Sequence, residues 1–172
     1  VNTVYDLPEQ YSGFTLVLAT VFFSIQIYCD FSGYSDIAIG AAKVMGFNLM
    51  KNFDAPYFSQ SVAEFWKRWH ISLSTWFRDY FYISLGGNRV VKWRWYYNLL
   101  LTFLLSGLWH GASWTYVIWG GLNGIYLIVE SFTANFRTKF FTFIGIINSK
   151  FLSILGVFFT YILICLAWIF FR

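Results

Sequence analysis

Charge is scarce in this chain: of its 172 residues only 12% are Asp, Glu, Lys or Arg, about half the share found in an ordinary soluble domain. Proline, cysteine, histidine and methionine occur twice each. So little charge argues against a water-soluble fold, because 58% of the residues are hydrophobic and 24% aromatic. That is more apolar area than one domain of this size can hide from water. Scarce proline, with no internal repeat or low-complexity stretch, excludes disorder, collagen-like repeats and flexible linkers. Cys29 and Cys165 end apolar runs without Cys-x-x-Cys or metal-ligand spacing, and read as free thiols in the membrane. A Walker A loop, G-x-G-x-x-G and a G-x-S-x-G nucleophile elbow are all missing, which removes the serine-hydrolase reading. The two histidines lack His-x-x-x-His spacing, so no metal site is expected.

What is present is a series of long uncharged runs. Residues 10–29 and 151–171 carry no formal charge, and each is long enough for a helix across a hydrocarbon core of about 30 Å. Arg94 and Glu130 bracket thirty-five uncharged residues, about 52 Å of continuous helix, so two helices must share them. The expected joint is residues 106–113, where small residues flank Trp109 and His110. Gly107 with Gly111 and Gly120 with Gly124 have the spacing that permits close helix contact. The expected fold is all-α and polytopic. Val1 without an initiator Met, and Arg172 directly after an apolar run, are expected of a fragment of a larger protein.

Two polar segments interrupt the pattern. Asp30, Ser32, Gly33, Ser35 and Asp36 fall within an apolar stretch, where a helix break or kink near Gly33 is expected. Downstream of Pro56, Ser59 or Ser61 is a plausible cap for a helix over residues 62–80. At about 100° per residue, Val62, Phe65, Trp66, Trp69, Leu73, Trp76, Phe77 and Tyr80 share one apolar sector, with Ile71 the one misfit. Glu64, Lys67, Arg68, Arg78 and Asp79 occupy the opposite face. This pattern predicts an amphipathic helix lying at the membrane interface. The cations around it, with Arg89, Lys92 and Arg94, put the region on the cytoplasmic side by the positive-inside rule. That rule explains the net charge of +4 better than nucleic-acid binding does.

The residues that can carry chemistry are few. An ionisable side chain within a bilayer is costly and usually faces a cavity or a partner. His110, flanked by glycines in the uncharged segment, is therefore the leading catalytic candidate, and His70, at the margin of the apolar sector, is the second. A near-neutral imidazole suits general-base work on a hydroxyl or thiol. Asp30 and Asp36 can form a polar pocket or proton path, or a helix break linked to Ser32 and Ser35.

Five segments, in order, carry a resemblance: Asp30-Phe-Ser-Gly-Tyr-Ser-Asp-Ile-Ala-Ile-Gly40, Asn52-Phe-Asp-Ala-Pro-Tyr57, Glu64-Phe-Trp-Lys-Arg-Trp-His-Ile-Ser-Leu-Ser-Thr-Trp-Phe-Arg-Asp-Tyr80, Leu85-Gly-Gly-Asn-Arg89 and Leu108-Trp-His-Gly-Ala112. They resemble the membrane-bound O-acyltransferase family, and within it the bacterial branch typified by alginate O-acetylation. The resemblance covers nearly all of the chain but only the middle and later part of a family member, so residues 1–172 form a partial domain on this reading. It implies that His110 and His70 are catalytic. Trp109, Gly111, Asp30, Asp36, Asn88, Lys67, Arg68 and Arg78 are assigned to substrate binding. It further implies no bound cofactor, a cytoplasmic thioester donor such as acetyl-CoA or an acyl-carrier thioester, and transfer toward an extracytoplasmic polysaccharide. The expected partners are membrane lipid and an extracytoplasmic acetyltransferase, in a bacterial inner membrane. The D-alanyl-transfer branch of teichoic-acid modification shares several elements, but Leu85-Gly-Gly-Asn-Arg89 favours polysaccharide O-acetylation. A proton-relaying transporter is an alternative of another class, separable by whether loss of His110 ends turnover with insertion intact.

Overall fold

The computed structural model describes residues 1–143, 145 and 150–172. Its elements are a short α1 (Asn2–Asp6), a long α2 (Gly13–Val44), two short helices α3 (Val62–Arg68) and α4 (Ile71–Trp76), and three long ones, α5 (Lys92–His110), α6 (Trp114–Phe143) and α7 (Lys150–Phe171). No strand occurs among the described residues. Helices α2, α6 and α7 are long and apolar enough to cross a membrane. Many large apolar side chains on them face outward, including Phe14, Phe132 and Phe158, as a lipid solvent allows.

The expected joint holds: α5 ends at His110 and α6 starts at Trp114, so the two form a tight antiparallel hairpin. Gly107 and Gly120 set its spacing. A Cβ on Gly107 would collide with the Tyr116 carbonyl oxygen, and one on Gly120 with that of Phe103. Close backbone approach replaces hydrophobic driving force where the solvent is itself apolar.

Helix α7 runs antiparallel to α6, bringing Trp168 and Phe171 onto Trp119, while α2 meets α7 through Ser24 and Tyr161, 2.7 Å apart. At the hairpin end, Arg172 lies 3.7 Å from Asp6. The other end carries Lys92, Arg94, Arg137, Lys139 and Lys150 at or near the termini of α5, α6 and α7. Cations gathered at one end are the asymmetry that the positive-inside rule reads.

Two expectations are corrected. The helix is not broken near Gly33, because α2 runs unbroken through residues 13–44. Gly33 has open space around it, and its roughly 1 kcal/mol propensity penalty is small beside the cost of exposing backbone groups to lipid. Nor do residues 62–80 form one interfacial helix. The chain breaks at Trp69, which is extended, and at His70, which is left-handed with φ 45°, then continues through α4 into a π-helical turn over Phe77–Tyr82.

This segment is re-entrant. It starts where Gln60 packs against Gly156 of α7, rises to Trp69 beside Trp168 and His70 beside Trp109, and descends to Leu85 and Gly87, whose carbonyls accept from the buried Asn98 amide of α5. Its apolar face is buried in the bundle: Val62, Phe65 and Trp69 join Phe53, Trp119, Ile164, Ala167 and Trp168 in one aromatic-rich core. The same periodicity that marks an interfacial helix thus marks a helix packed between others. Trp76 and Tyr80, beyond the break, are exposed.

Candidate active site

The two imidazoles meet because two chain reversals deliver them to one place. His110 is the last residue of α5, and Gly111 caps it close to the Tyr116 ring, where a Cβ would collide. Around the His110 ring stand Trp109, Trp119 and Phe171, at centroid distances of 5.0, 5.1 and 5.3 Å, all near-perpendicular. Edge-on aromatic contacts of this kind favour one ring orientation. His70 sits at the tip of the re-entrant segment, perpendicular to Phe31 at 4.6 Å and tilted against Trp109 at 6.4 Å.

A broken helix leaves amide and carbonyl groups without partners, and residues 52–54 supply them. The Asn52 carbonyl accepts from the Ile71 amide at 3.0 Å, and the Asp54 amide donates to the Arg68 carbonyl at 2.9 Å. The Asn52 side-chain oxygen accepts from the Ser72 amide at 3.1 Å and from its hydroxyl at 2.6 Å. Phe53, buried between them, packs edge-on against Trp69 and Phe31. At the outer edge Lys51 pairs with Asp54 and holds its carboxyl below the usual range. The strap therefore fixes the backbone on both sides of His70. In the sequence Asn52 opens one of the quoted motifs, but nothing in its neighbourhood marks it as the partner of a break eighteen positions away.

The start of the segment is held as well. The Ser61 hydroxyl accepts from the Glu64 amide, the expected cap, and the carboxylate of Glu130 on α6 accepts from the Val62 and Ala63 amides at 2.8 and 3.2 Å. A carboxylate at a helix N-terminus satisfies orphan donors and opposes the helix dipole.

His70, His110, Trp109 and Asp30 line a single cleft of about 570 Å³ between α2 and the α5–α6 hairpin. Asp36 does not reach it and is exposed on another face of α2. Gly111 acts through the backbone and the Tyr116 contact rather than by lining the cleft. A second cavity, of about 460 Å³, lies between the re-entrant segment and the α5–α6 pair. Lys67, Arg78 and Asn88 line it, together with Glu130 and Arg137. Arg68 does not: it bonds Glu64 and the Asp54 carbonyl. Arg78 also bonds the exposed Asp79 carboxylate, whose pKa it lowers. Between the two cavities stands an aromatic wall, with Trp66 on Trp119 at 5.7 Å and Trp119 on His110 at 5.1 Å. Ser106, which lines the second cavity, is one helical turn, about 6 Å, from His110.

The left-handed backbone at His70 makes a direct test. A non-glycine residue in that region costs of the order of 1 kcal/mol, so His70→Gly should relieve strain while removing the imidazole. A functional ring predicts a protein at least as stable in thermal melting that turns over at least about tenfold more slowly. Retained turnover would make His70 a structural residue.

The family model of membrane-bound O-acyltransferases matches residues 2–170. The probable alginate O-acetylase AlgI of Pseudomonas aeruginosa is 60% identical over 113 residues, covering 66% of this chain and 22% of that protein. The peptidoglycan O-acetyltransferase of Helicobacter pylori is 44% identical over 168 residues, covering 98% of this chain and 31% of that protein. The teichoic acid D-alanyltransferase of Bacillus subtilis is 30% identical over 155 residues, covering 83% and 37%. The chain therefore spans between 22% and 37% of the length of these relatives.

Proposed function

The chain belongs to the membrane-bound O-acyltransferase family, and from the arrangement of its two cavities we propose that the protein transfers an acyl group, acetyl being the best-supported, across a bacterial inner membrane to the hydroxyls of an extracytoplasmic polysaccharide. One observation carries this reading: both imidazoles line one cleft, and a cation-lined cavity lies behind the aromatic wall that His110 abuts. The greater likeness to the two O-acetyltransferases than to the D-alanyltransferase favours acetyl.

In the proposed reaction the neutral imidazole of His110 accepts the proton of an acceptor hydroxyl. The oxygen attacks the carbonyl carbon of a thioester, the carbon–sulfur bond breaks, and the thiolate takes up the proton. His70, across the same cleft, orients the hydroxyl or shares the proton. The thioester, as acetyl-CoA or an acyl-carrier conjugate, enters the second cavity from the basic end, drawn by Lys67, Arg78 and Arg137. An extracytoplasmic acetyltransferase partner supplies that first acceptor hydroxyl and then passes the acyl group on to the polysaccharide.

Donor attraction is tested by charge. Lys67→Gln combined with Arg78→Gln should raise the apparent KM for acetyl-CoA by roughly threefold to tenfold with little change in kcat, and added salt should mimic the double variant. Arg68→Gln, outside the cavity, should leave KM near that of the parent. An unchanged KM in the double variant, with lower protein yield, would assign these cations to the lipid headgroups instead.

A further inference from the structure

A helix that begins inside the bundle must find acceptors for its first amide groups. At α4 the N-cap position is held by His70, whose side chain makes no capping hydrogen bond. Histidine tolerates the left-handed backbone found there, but the side chains that cap a helix well are short and end in oxygen. The cap comes instead from outside the helix. Two amides of the first turn end on one residue: that of Ile71 donates to the Asn52 carbonyl oxygen at 3.0 Å, and that of Ser72 to the Asn52 side-chain Oδ1 at 3.1 Å. The Ser72 hydroxyl donates to the same Oδ1 at 2.6 Å. On its other side the Asn52 side-chain amide reaches the hydroxyl of Ser35, buried on α2, at 3.5 Å. One carboxamide thus joins the start of α4 to a helix that lines the cleft.

A His70 ring turned back to cap α4 would be lost to the cleft, which it lines with His110. With Asn52 in the capping role, the ring is free to stand perpendicular to Phe31 at 4.6 Å. Phe53, next in the chain, packs edge-on to the same Phe31 ring at 5.0 Å. The strap therefore fixes both the backbone of His70 and the surface on which its ring rests.

We propose that Asn52 is the positioning residue for His70: it caps α4 in place of the histidine, and so frees the imidazole and sets its place opposite His110. This role rests on the acyltransferase reading, in which His70 orients the acceptor hydroxyl or shares its proton, and adds the group that makes that placement possible. Asn52 acts without touching donor or acceptor. Its loss therefore bears on the chemical step and not on donor binding, whose cations line the second cavity.

The test is a double-mutant cycle on the full-length protein in membrane vesicles, with kcat and KM read from acetyl transfer at varied acetyl-CoA. Asn52→Ala keeps the backbone bond to Ile71 and removes the side-chain cap. It should lower kcat about tenfold, within the range that a misplaced group costs, and leave KM within about twofold of the parent. Ser72→Ala, which loses the hydroxyl bond and keeps the amide bond, should lower kcat about threefold. Asn52→Asp keeps an oxygen for both Ser72 donors, and the Ser35 hydroxyl can turn to donate to the other oxygen, so kcat should stay within about twofold of the parent. In the His70→Gly background neither Asn52→Ala nor Ser72→Ala should lower kcat further, because a residue that acts through the imidazole has nothing left to place. Equal factors in the two backgrounds would make Asn52 a residue of the fold alone and overturn the proposal. So would a parent-like kcat in Asn52→Ala or in His70→Gly, or a raised KM at unchanged kcat. If Asn52→Ala fails to accumulate, the cycle of Ser72→Ala with His70→Gly gives the same decision. Retained transfer in His110→Ala would count against the acyltransferase reading, and the coupling between positions 52 and 70 is read independently of it.

Discussion

Replacing His110 with alanine should lower acyl transfer by about a hundredfold to ten-thousandfold, the usual range for removing a general base, with the protein still inserted and folded. The imidazole is half-buried against Trp109, Trp119 and Phe171, and among the described residues it makes no hydrogen bond that holds helices together. Its removal leaves a void rather than an unpaired charge. Because that void costs stability of its own, His110→Gln is the companion variant, filling much of the space without a basic ring nitrogen. Both should be inactive in single-turnover assays of membrane vesicles at normal protein yield. Activity within a few-fold of the parent in either would refute the assignment, and would favour a proton relay in which the histidine assists transport.

The second large effect is structural. Gly120→Ala should prevent the α5–α6 hairpin from closing, since its methyl would occupy the position of the Phe103 carbonyl oxygen, a backbone atom that cannot swing aside. Overpacking of this kind costs about 1–3 kcal/mol or more. Here it also displaces His110 from the cleft, so folded yield and activity should fall together. The same methyl has graded consequences elsewhere. At Gly111 it meets the flexible Tyr116 ring, which can rotate away, and at Gly33 it meets nothing. Thermal melting in detergent should therefore rank Gly120→Ala lowest, Gly111→Ala next, and Gly33→Ala at or slightly above the parent, by up to about 1 kcal/mol of helix propensity. A Gly120→Ala protein as stable as the parent would show that the helices are not packed backbone to backbone.

Much of this arrangement is legible in the sequence, for identifiable reasons. The turn at residues 111–113 follows from small residues within a charge-free run too long for one helix, and the close pairing follows from the glycine spacing. Ser61 is recognisable as a cap because it precedes an apolar period and is followed three residues later by Glu64. The break at Trp69 and His70 is not recognisable, because neither residue has turn chemistry and the groups that compensate it come from Asn52 and Asp54. Its one trace is Ile71, which falls out of the apolar sector of a continuous helix and starts a new helix in the structure. The expected break at Gly33 fails for the opposite reason. Local breakers lose to the requirement that a helix in lipid satisfy its own backbone. Asp30 and Asp36, alike in sequence, differ in surroundings because six residues of helix turn them to different faces, and of the two Asp30 alone lines the cleft.

The re-entrant segment also constrains the order in which the chain can assemble. Trp69 is packed on Trp168, and the amides of Val62 and Ala63 are taken by Glu130, so the partners that seat this segment are made long after it. At roughly 5–20 residues per second, the ninety-nine positions from Trp69 to Trp168 take about 5–20 s to synthesise. Through that interval Trp69 lacks the Trp168 ring, and the amphipathic face of the stretch can be held at the bilayer surface by Lys67, Arg68 and the tryptophans. The amphipathic pattern that suggests an interfacial helix in the sequence thus suits the bilayer surface before α7 is made as well as the packed core afterwards, where Trp69 meets Trp168.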